Sequence, residues 1–224
     1  MQNHRRSEMV LAAVLSCAAG FVDAVGFIHL GGYFVSFMSG NSTRGGTALA
    51  EGNWGGFVIA FGLVGAFLLG VVSASILRKF VPSRKRMAVL LYVSAALTGA
   101  VVLFDLGVGV WLAPAVMALA MGAENVIFER DGEVSIGLTY MTGTLVKMGQ
   151  HMANAMTGGE KLLWLRYAVL WASLTTGSIV GGFAYFALDL NALWIAVGVL
   201  ILAVVFNNYG HRSSPRHPAV RVIL

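Results

Sequence analysis

The polar residues of this chain that could do chemistry fall into two sets with the same internal order. The first is Asp23, followed by Ser39, Gly40 and Asn41. The second is Glu124 and Asn125, followed by Thr142, Gly143 and Thr144. Each set opens with an acid or amide inside an apolar run and closes on a glycine between small polar residues. An ionisable side chain at membrane depth costs a few kcal/mol and tends to mark an ion or substrate pathway. Asp23 is therefore a candidate proton or cation site, and Asn125, which can donate and accept, is its candidate partner. The alternative for Asp23 is a polar tie to another helix, or a place close to the outer interface. Glu124 lies about 100° around the helix from Asn125. Its neighbours Glu129, Arg130, Asp131 and Glu133 favour a wet interface for it.

The closing motifs can start helices. Ser39 or Asn41, and Thr142 or Thr144, are N-cap types, and Gly40 and Gly143 let backbone approach a neighbour or a ligand. The segments that follow, 43–51 and 144–157, are too short to cross a bilayer. In the second, Leu145, Met148, Met152 and Met156 share one face and Lys147, Gln150, His151 and Asn154 the other, the pattern of an interfacial or re-entrant helix. Helix starts with free N–H groups bind anions or polar groups. The expectation is a short re-entrant turn with a capped half-helix, one entering from each face. The alternative is an ordinary surface loop leading into an amphipathic helix.

Composition decides what must position these residues. Of 224 residues, 58% are hydrophobic and 11% charged, where soluble domains carry about 25% charged residues. The chain therefore belongs in a lipid bilayer. Apolar runs of about 20 residues occur near 9–30, 55–77, 87–105, 109–128, 164–187 and 190–208. Six spans put both termini on one side. Basic clusters at 4–6, 78–86 and 211–221 then share that side, which the positive-inside rule makes cytoplasmic. The basic start and apolar stretch resemble a signal peptide, but 9–30 is too long and lacks a clear cleavage signal, so it reads as a span. The net charge of +5 lies in these flanks and does not point to nucleic acid. Trp54, Trp111, Trp164 and Trp194 lie near span ends, as interfacial anchors do. Cys17 has no partner for a disulfide and reads as a small core residue.

The two halves overlay. Gly20 falls on Gly122, Asp23-Ala24-Val25 on Asn125-Val126-Ile127, and Met38-Ser39-Gly40-Asn41 on Met141-Thr142-Gly143-Thr144 after a one-residue slip. Two units of three spans, about 9–105 and 109–208, must be inverted relative to each other because three is odd. Such repeats recur in transporters, with the site near midplane between the halves; a duplication that only builds a stable bundle is the alternative. Small residues at Gly62, Ala66, Gly70 and Ala74, and at Ser173, Gly177 and Gly181, form packing faces expected to meet around the pseudo-twofold axis or in a homodimer.

The stretches "GFVDAVGFIHLGGYFVSFMSGNSTRGG" and "MGAENVIFERDGEVSIGLTYMTGTLVKMG" resemble the YoaK-like small integral membrane proteins, a family of unknown function. The resemblance covers nearly the whole chain. Relative to that family's pattern, Ser39 stands for Thr, Glu124 for Gln and Val126 for Ala. The resemblance implies a multi-pass membrane fold and gives no substrate.

The sequence contains no Walker-type loop, His-Glu-x-x-His, Gly-x-Ser-x-Gly or Cys/His ligand spacing. Catalysis, cofactors and a metal site are not expected; His29 and His151 read as isolated interface residues. The expectation is one integral membrane domain over 1–224, all-α, in the plasma or inner membrane, with a cytoplasmic tail at 209–224. Its function reads as a small secondary transporter or channel; a non-transporting scaffold or partner subunit is the alternative. Expected partners are the lipid bilayer, a small solute or a proton or cation, and a second copy of the chain. Asp23 favours a cationic guest and helix starts an anionic one, and the sequence leaves both open.

Overall fold

The computed structural model describes residues 2–82, 84–130 and 133–212, with side chains described for 7–82, 84–129 and 133–207. The basic side chains at 4–6 and 211–221, and the tail at 213–224, lie outside these.

Eight α-helices account for most of the described chain: α1 Gln2–His29, α2 Met38–Ala50, α3 Trp54–Phe80, α4 Lys85–Asp105, α5 Leu112–Glu124, α6 Met141–Met156, α7 Trp164–Leu188 and α8 Leu193–Arg212. A 3-10 turn, Asn125–Phe128, extends α5. Another, Asp189–Ala192, joins α7 to α8. A short antiparallel hairpin pairs β1 Glu129–Arg130 with β2 Glu133–Val134.

Helix ends follow local chemistry. The last turn of α1 closes on Gly31 and Gly32, at φ 64° and 105°. Their N–H groups donate back to Ile28 and Phe27, an arrangement that needs left-handed backbone and therefore glycine. Asn53 caps α3, its side chain accepting from Gly56 N–H at 2.9 Å. Pro114 sits in the first turn of α5, where no intrahelical N–H is lost. Between α7 and α8 the break falls on Asp189, which holds φ 52° without being glycine. Its carboxylate accepts from Leu190 N–H at 2.7 Å.

Four helical segments are long and apolar enough to cross a membrane: Ser7–His29, Trp54–Phe80, Lys85–Asp105 and Trp164–Asn207. The fourth expected span, 109–128, is a shorter apolar helix over Leu112–Phe128. The fifth and sixth fall within the one long apolar stretch that Asp189 interrupts. The outer surface is greasy: Leu68, Phe183, Phe186 and Leu202 are all more than half exposed. Contiguous apolar surface on this scale suits lipid and not water.

The tightest packing is α1 on α7 and α3 on α5. Both contacts are backbone to backbone. A Cβ at Gly20 or Gly177 would collide with the carbonyl oxygens of Leu174 and Cys17; a Cβ at Gly122 or Gly70 would collide with those of Phe67 and Leu119. This corrects the expected use of the small-residue faces. They do not meet each other: the α3 face lies on α5, and the α7 face lies on α1, where Gly181 abuts Phe21. At Gly62, the outer end of the α3 stripe, a Cβ would meet open space. Helices 4 and 8 pack on each other and complete the core, with Val93, Leu97, Leu193 and Leu200 buried.

Candidate functional site

Each half of the chain interrupts its helical run after its first helix, after α1 and after α5, and each of these breaks must satisfy backbone groups away from water. Buried backbone N–H and C=O groups left unpaired cost about as much as a lost hydrogen bond each. At membrane depth irregular backbone survives only where protein or water covers it.

The first break, Leu30 to Phe37, is held mainly through its N–H groups. Asp23 Oδ1 accepts from Val35 N–H at 2.9 Å and from Ser36 N–H at 2.7 Å. Asn41 clamps Phe34 from both sides: its Oδ1 accepts from the backbone N–H at 2.9 Å, and its Nδ2 donates to the carbonyl at 2.6 Å. Asn41 is fully buried.

The second break, Asn125 to Tyr140, is held mainly through its carbonyls. Arg78 of α3 is buried and forks onto it, donating to Val126 O at 2.8 Å, Ile127 O at 3.3 Å and Glu129 O at 2.8 Å. Asn125 Nδ2 donates to Met121 O at 3.0 Å, and its Oδ1 accepts from the Thr139 hydroxyl at 3.2 Å. Thr144 donates to Tyr140 O at 3.0 Å.

The two breaks converge. Ser36, Phe37, Met38 and Ser39 from the first, with Thr139 to Gly143 from the second and Phe67 of α3, line one cavity of about 280 Å³. The first turns of α2 and α6 thus meet across it, with hydroxyls at Ser36, Ser39, Thr139 and Thr142. A larger cavity of about 840 Å³ adjoins, bordered by the starts of α1, α6 and α7 and by residues 134–137. Tyr140 and Gly143 border both.

The sequence-derived candidates divide accordingly. Ser39, Thr142 and Gly143 line the smaller cavity, and Gly143 and Thr144 the larger. Gly40 packs under the rings of Phe37 and Phe34. Three expectations need correction. Asp23 and Asn125 do not bond to each other; each is engaged by its own break, because two free N–H groups lie beside one and a carbonyl and a hydroxyl beside the other. None of Ser39, Asn41, Thr142 and Thr144 caps a helix. The N-cap positions fall on Phe37 and Tyr140, neither with a side-chain cap bond, and the motifs form the first helical turns. Glu124 is not wet: it is fully buried, and among the described residues neither carboxyl oxygen has a hydrogen-bond partner.

Sequence reasoning missed Arg78, which it placed in a solvated flank, and the cavity walls Ser36, Phe67, Thr139 and Tyr140. A signal for Arg78 existed. The small-residue stripe Gly70, Ala74 continues four residues on to Arg78, so the arginine shares the face that packs on α5. The isolated histidines have neighbours. His29 Nδ1 lies 3.3 Å from the Tyr185 hydroxyl and 3.6 Å from Asp189; His151 stacks on Tyr167 at 5.1 Å.

Helices that spend their internal polar groups on their own backbone, and turn apolar side chains outward, define a multi-pass helical membrane protein. Over residues 11–206 the chain matches the family described as "Protein of unknown function (DUF1275)", and it belongs to that family. A UPF0700 transmembrane protein, RA0705 of Rhizobium meliloti (strain 1021), is 34% identical over 207 residues, covering 90% of this chain and 88% of the relative. No solved structure matches the chain. The YoaK-like resemblance agrees with this membership.

Proposed function

We propose that the protein is a small secondary transporter or channel, a single membrane domain of six crossings arranged as two inverted repeats. Its termini lie on the cytoplasmic face of a plasma or inner membrane. The observation that carries this reading is the smaller cavity, built jointly by corresponding residues of the two breaks. A site at the junction of two broken helices is the arrangement that lets one half rock against the other around a fixed solute.

Two observations support the inverted repeat. One sequence shift carries Gly20 to Gly122 and Cys17 to Leu119; another carries Phe67 to Leu174 and Gly70 to Gly177, so the four glycine–carbonyl contacts are two pairs of equivalents. The pairing of α1 with α7 likewise mirrors that of α5 with α3. Six crossings are supported by the Asp189 break and by the Leu112–Phe128 helix. The orientation is supported by Arg78, Lys79 and residues 84–86, which gather at one end of the bundle. Self-association belongs to the same proposal, with the outer end of the α3 stripe at Gly62 open to it. Catalysis, a cofactor and a metal are not part of it.

The test is solute flux in proteoliposomes, after an uptake screen in cells with and without the gene. Ser39→Trp or Thr142→Trp, which fill the cavity, are expected to abolish flux in a protein that still folds. Undiminished flux in both would remove the cavity from the pathway. Asp23→Asn separates two roles: lost proton dependence assigns coupling to Asp23, whereas unchanged proton dependence limits it to holding the break.

A second reading, a non-transporting scaffold or partner subunit, is favoured by one observation. Asp23 and Asn41 point their oxygens at backbone N–H groups, and Asn41 and Asn125 each donate an amide N–H to a backbone carbonyl. On that reading the filling substitutions leave every cellular phenotype intact.

A further inference from the structure

The larger cavity holds two cations that the helix breaks do not use, Lys147 from α6 and Arg166 from α7. Among the described residues neither side chain has a carboxylate partner or a hydrogen-bond acceptor. The one acid on the wall, Glu8, is bonded to Arg86 at 3.1 Å. The remaining lining is mixed: Tyr140 and Tyr167, Ser135 and Thr144, whose hydroxyls donate to the backbone carbonyls of Phe128 and Tyr140, and the apolar Met9 and Leu163. The cavity sits at the end of the bundle that also bears Arg78 and Arg86, and Phe128 on its wall packs against the Arg86 guanidinium at 5.1 Å.

We propose that this cavity is a binding site for an anion with an apolar body, a phosphate monoester or phosphodiester held by Lys147 and Arg166 and flanked by the two tyrosines. Two unpaired cations at a semi-enclosed wall raise the local concentration of anions. Arginine forks onto phosphate oxygens while lysine supplies a point charge. The apolar wall accounts for the body of the ligand. The same chemistry is offered by an anionic lipid headgroup and by a soluble organic phosphate. Tyr140 and Gly143 join this cavity to the smaller one, so an anion held here stands at the entrance to the central site.

The probe is phenyl phosphate, titrated into the full chain in phosphatidylcholine nanodiscs and followed by tyrosine and tryptophan fluorescence. Saturable binding is expected, weakening as salt rises and absent for phenol at the same concentrations. The Lys147→Ala/Arg166→Ala pair should weaken it at least about tenfold, and Lys147→Arg/Arg166→Lys should keep it, which separates a lost charge from a lost fold. Discs doped with phosphatidylglycerol identify the source. A lipid occupant raises the melting temperature of the wild type but not of the alanine pair, and competes with phenyl phosphate; a soluble one leaves both readings unchanged by the lipid. Equal binding of phenol, indifference to the alanine pair, or neither probe binding nor a phosphatidylglycerol-dependent rise in melting temperature overturns the proposal. Binding is read without flux, so this site stands or falls separately from transport.

Discussion

The two helix breaks solve one problem with opposite charges. After α1 the loose groups are mainly N–H, and a carboxylate, Asp23, collects two of them. After α5 the loose groups are mainly carbonyls, and a guanidinium, Arg78, collects three. The intrahelical position is equivalent, Asp23 against Asn125, but the second break has no need of an acid there. Its Asn125 is engaged by a carbonyl and a hydroxyl instead. At each break the sign of the residue that collects the loose groups follows the backbone group it has to satisfy. Asp23 is here first a backbone device, and a role in transport is additional to that.

The comparison can be broken most severely at Asp23. Asp23→Ala leaves the Val35 and Ser36 N–H groups without their acceptor. It should cost about 3 kcal/mol or more, read as a lower melting temperature and lower yield in detergent, with Asp23→Asn losing about half as much because an amide oxygen still accepts. Arg78→Met should follow at about 2–3 kcal/mol, since carbonyls tolerate under-satisfaction better than N–H groups. Arg78→Lys should recover only part, because an ammonium cannot reproduce the fork. Asn125→Asp sharpens the contrast by giving the second break the acid of the first. The carboxylate cannot donate to Met121 O, and about 2 kcal/mol should be lost at neutral pH, visible in the same melting assay.

The smallest expected effect has the opposite sign. The shift that carries Gly20 to Gly122 carries Val22 to Glu124, and both are buried. Val22 is apolar, whereas among the described residues Glu124 has no hydrogen-bond partner for either oxygen. Glu124→Met should therefore stabilise the protein by about 1–2 kcal/mol. A lower melting temperature instead would mean that the carboxyl has a partner within the bundle.

The apolar runs were legible because a bilayer demands them: each of the six expected runs falls on a helix, α1, α3, α4, α5 with its 3-10 turn, α7 and α8, though α1 starts earlier, at Gln2, and the α5 run is shorter than a span. The breaks were legible too, from Gly40 and Gly143 flanked by small polar residues, whereas the Gly31-Gly32 turn that closes α1 went unread. What could not be read was which atoms answer which. Asn41 and Thr144 look like caps from their neighbours in sequence. Yet Asn41 reaches back seven residues to Phe34, and Arg78 reaches forward to a segment near residue 127. Those distances depend on how α3 lies against α5, and that follows from backbone contact at Gly70 and Gly122. A run of acids after Glu124 suggested solvent, but Glu124 itself lies on the buried side of α5. Local pattern fixes element type, while burial of a particular side chain is decided by partners distant along the chain.

The four glycine–carbonyl contacts bear on how the chain is made. Helix α1 emerges first, yet the backbone it clasps, around Leu174 in α7, is synthesised near the end. Until then the groove around Gly20 faces lipid tails or an insertion chaperone. A polypeptide halted before Trp164 contains both α3 and α5 but lacks α7, the helix on which α1 packs most closely. Closure of the bundle is thus expected late, after α7 is made, and shortened chains are expected to be cleared by quality-control proteases.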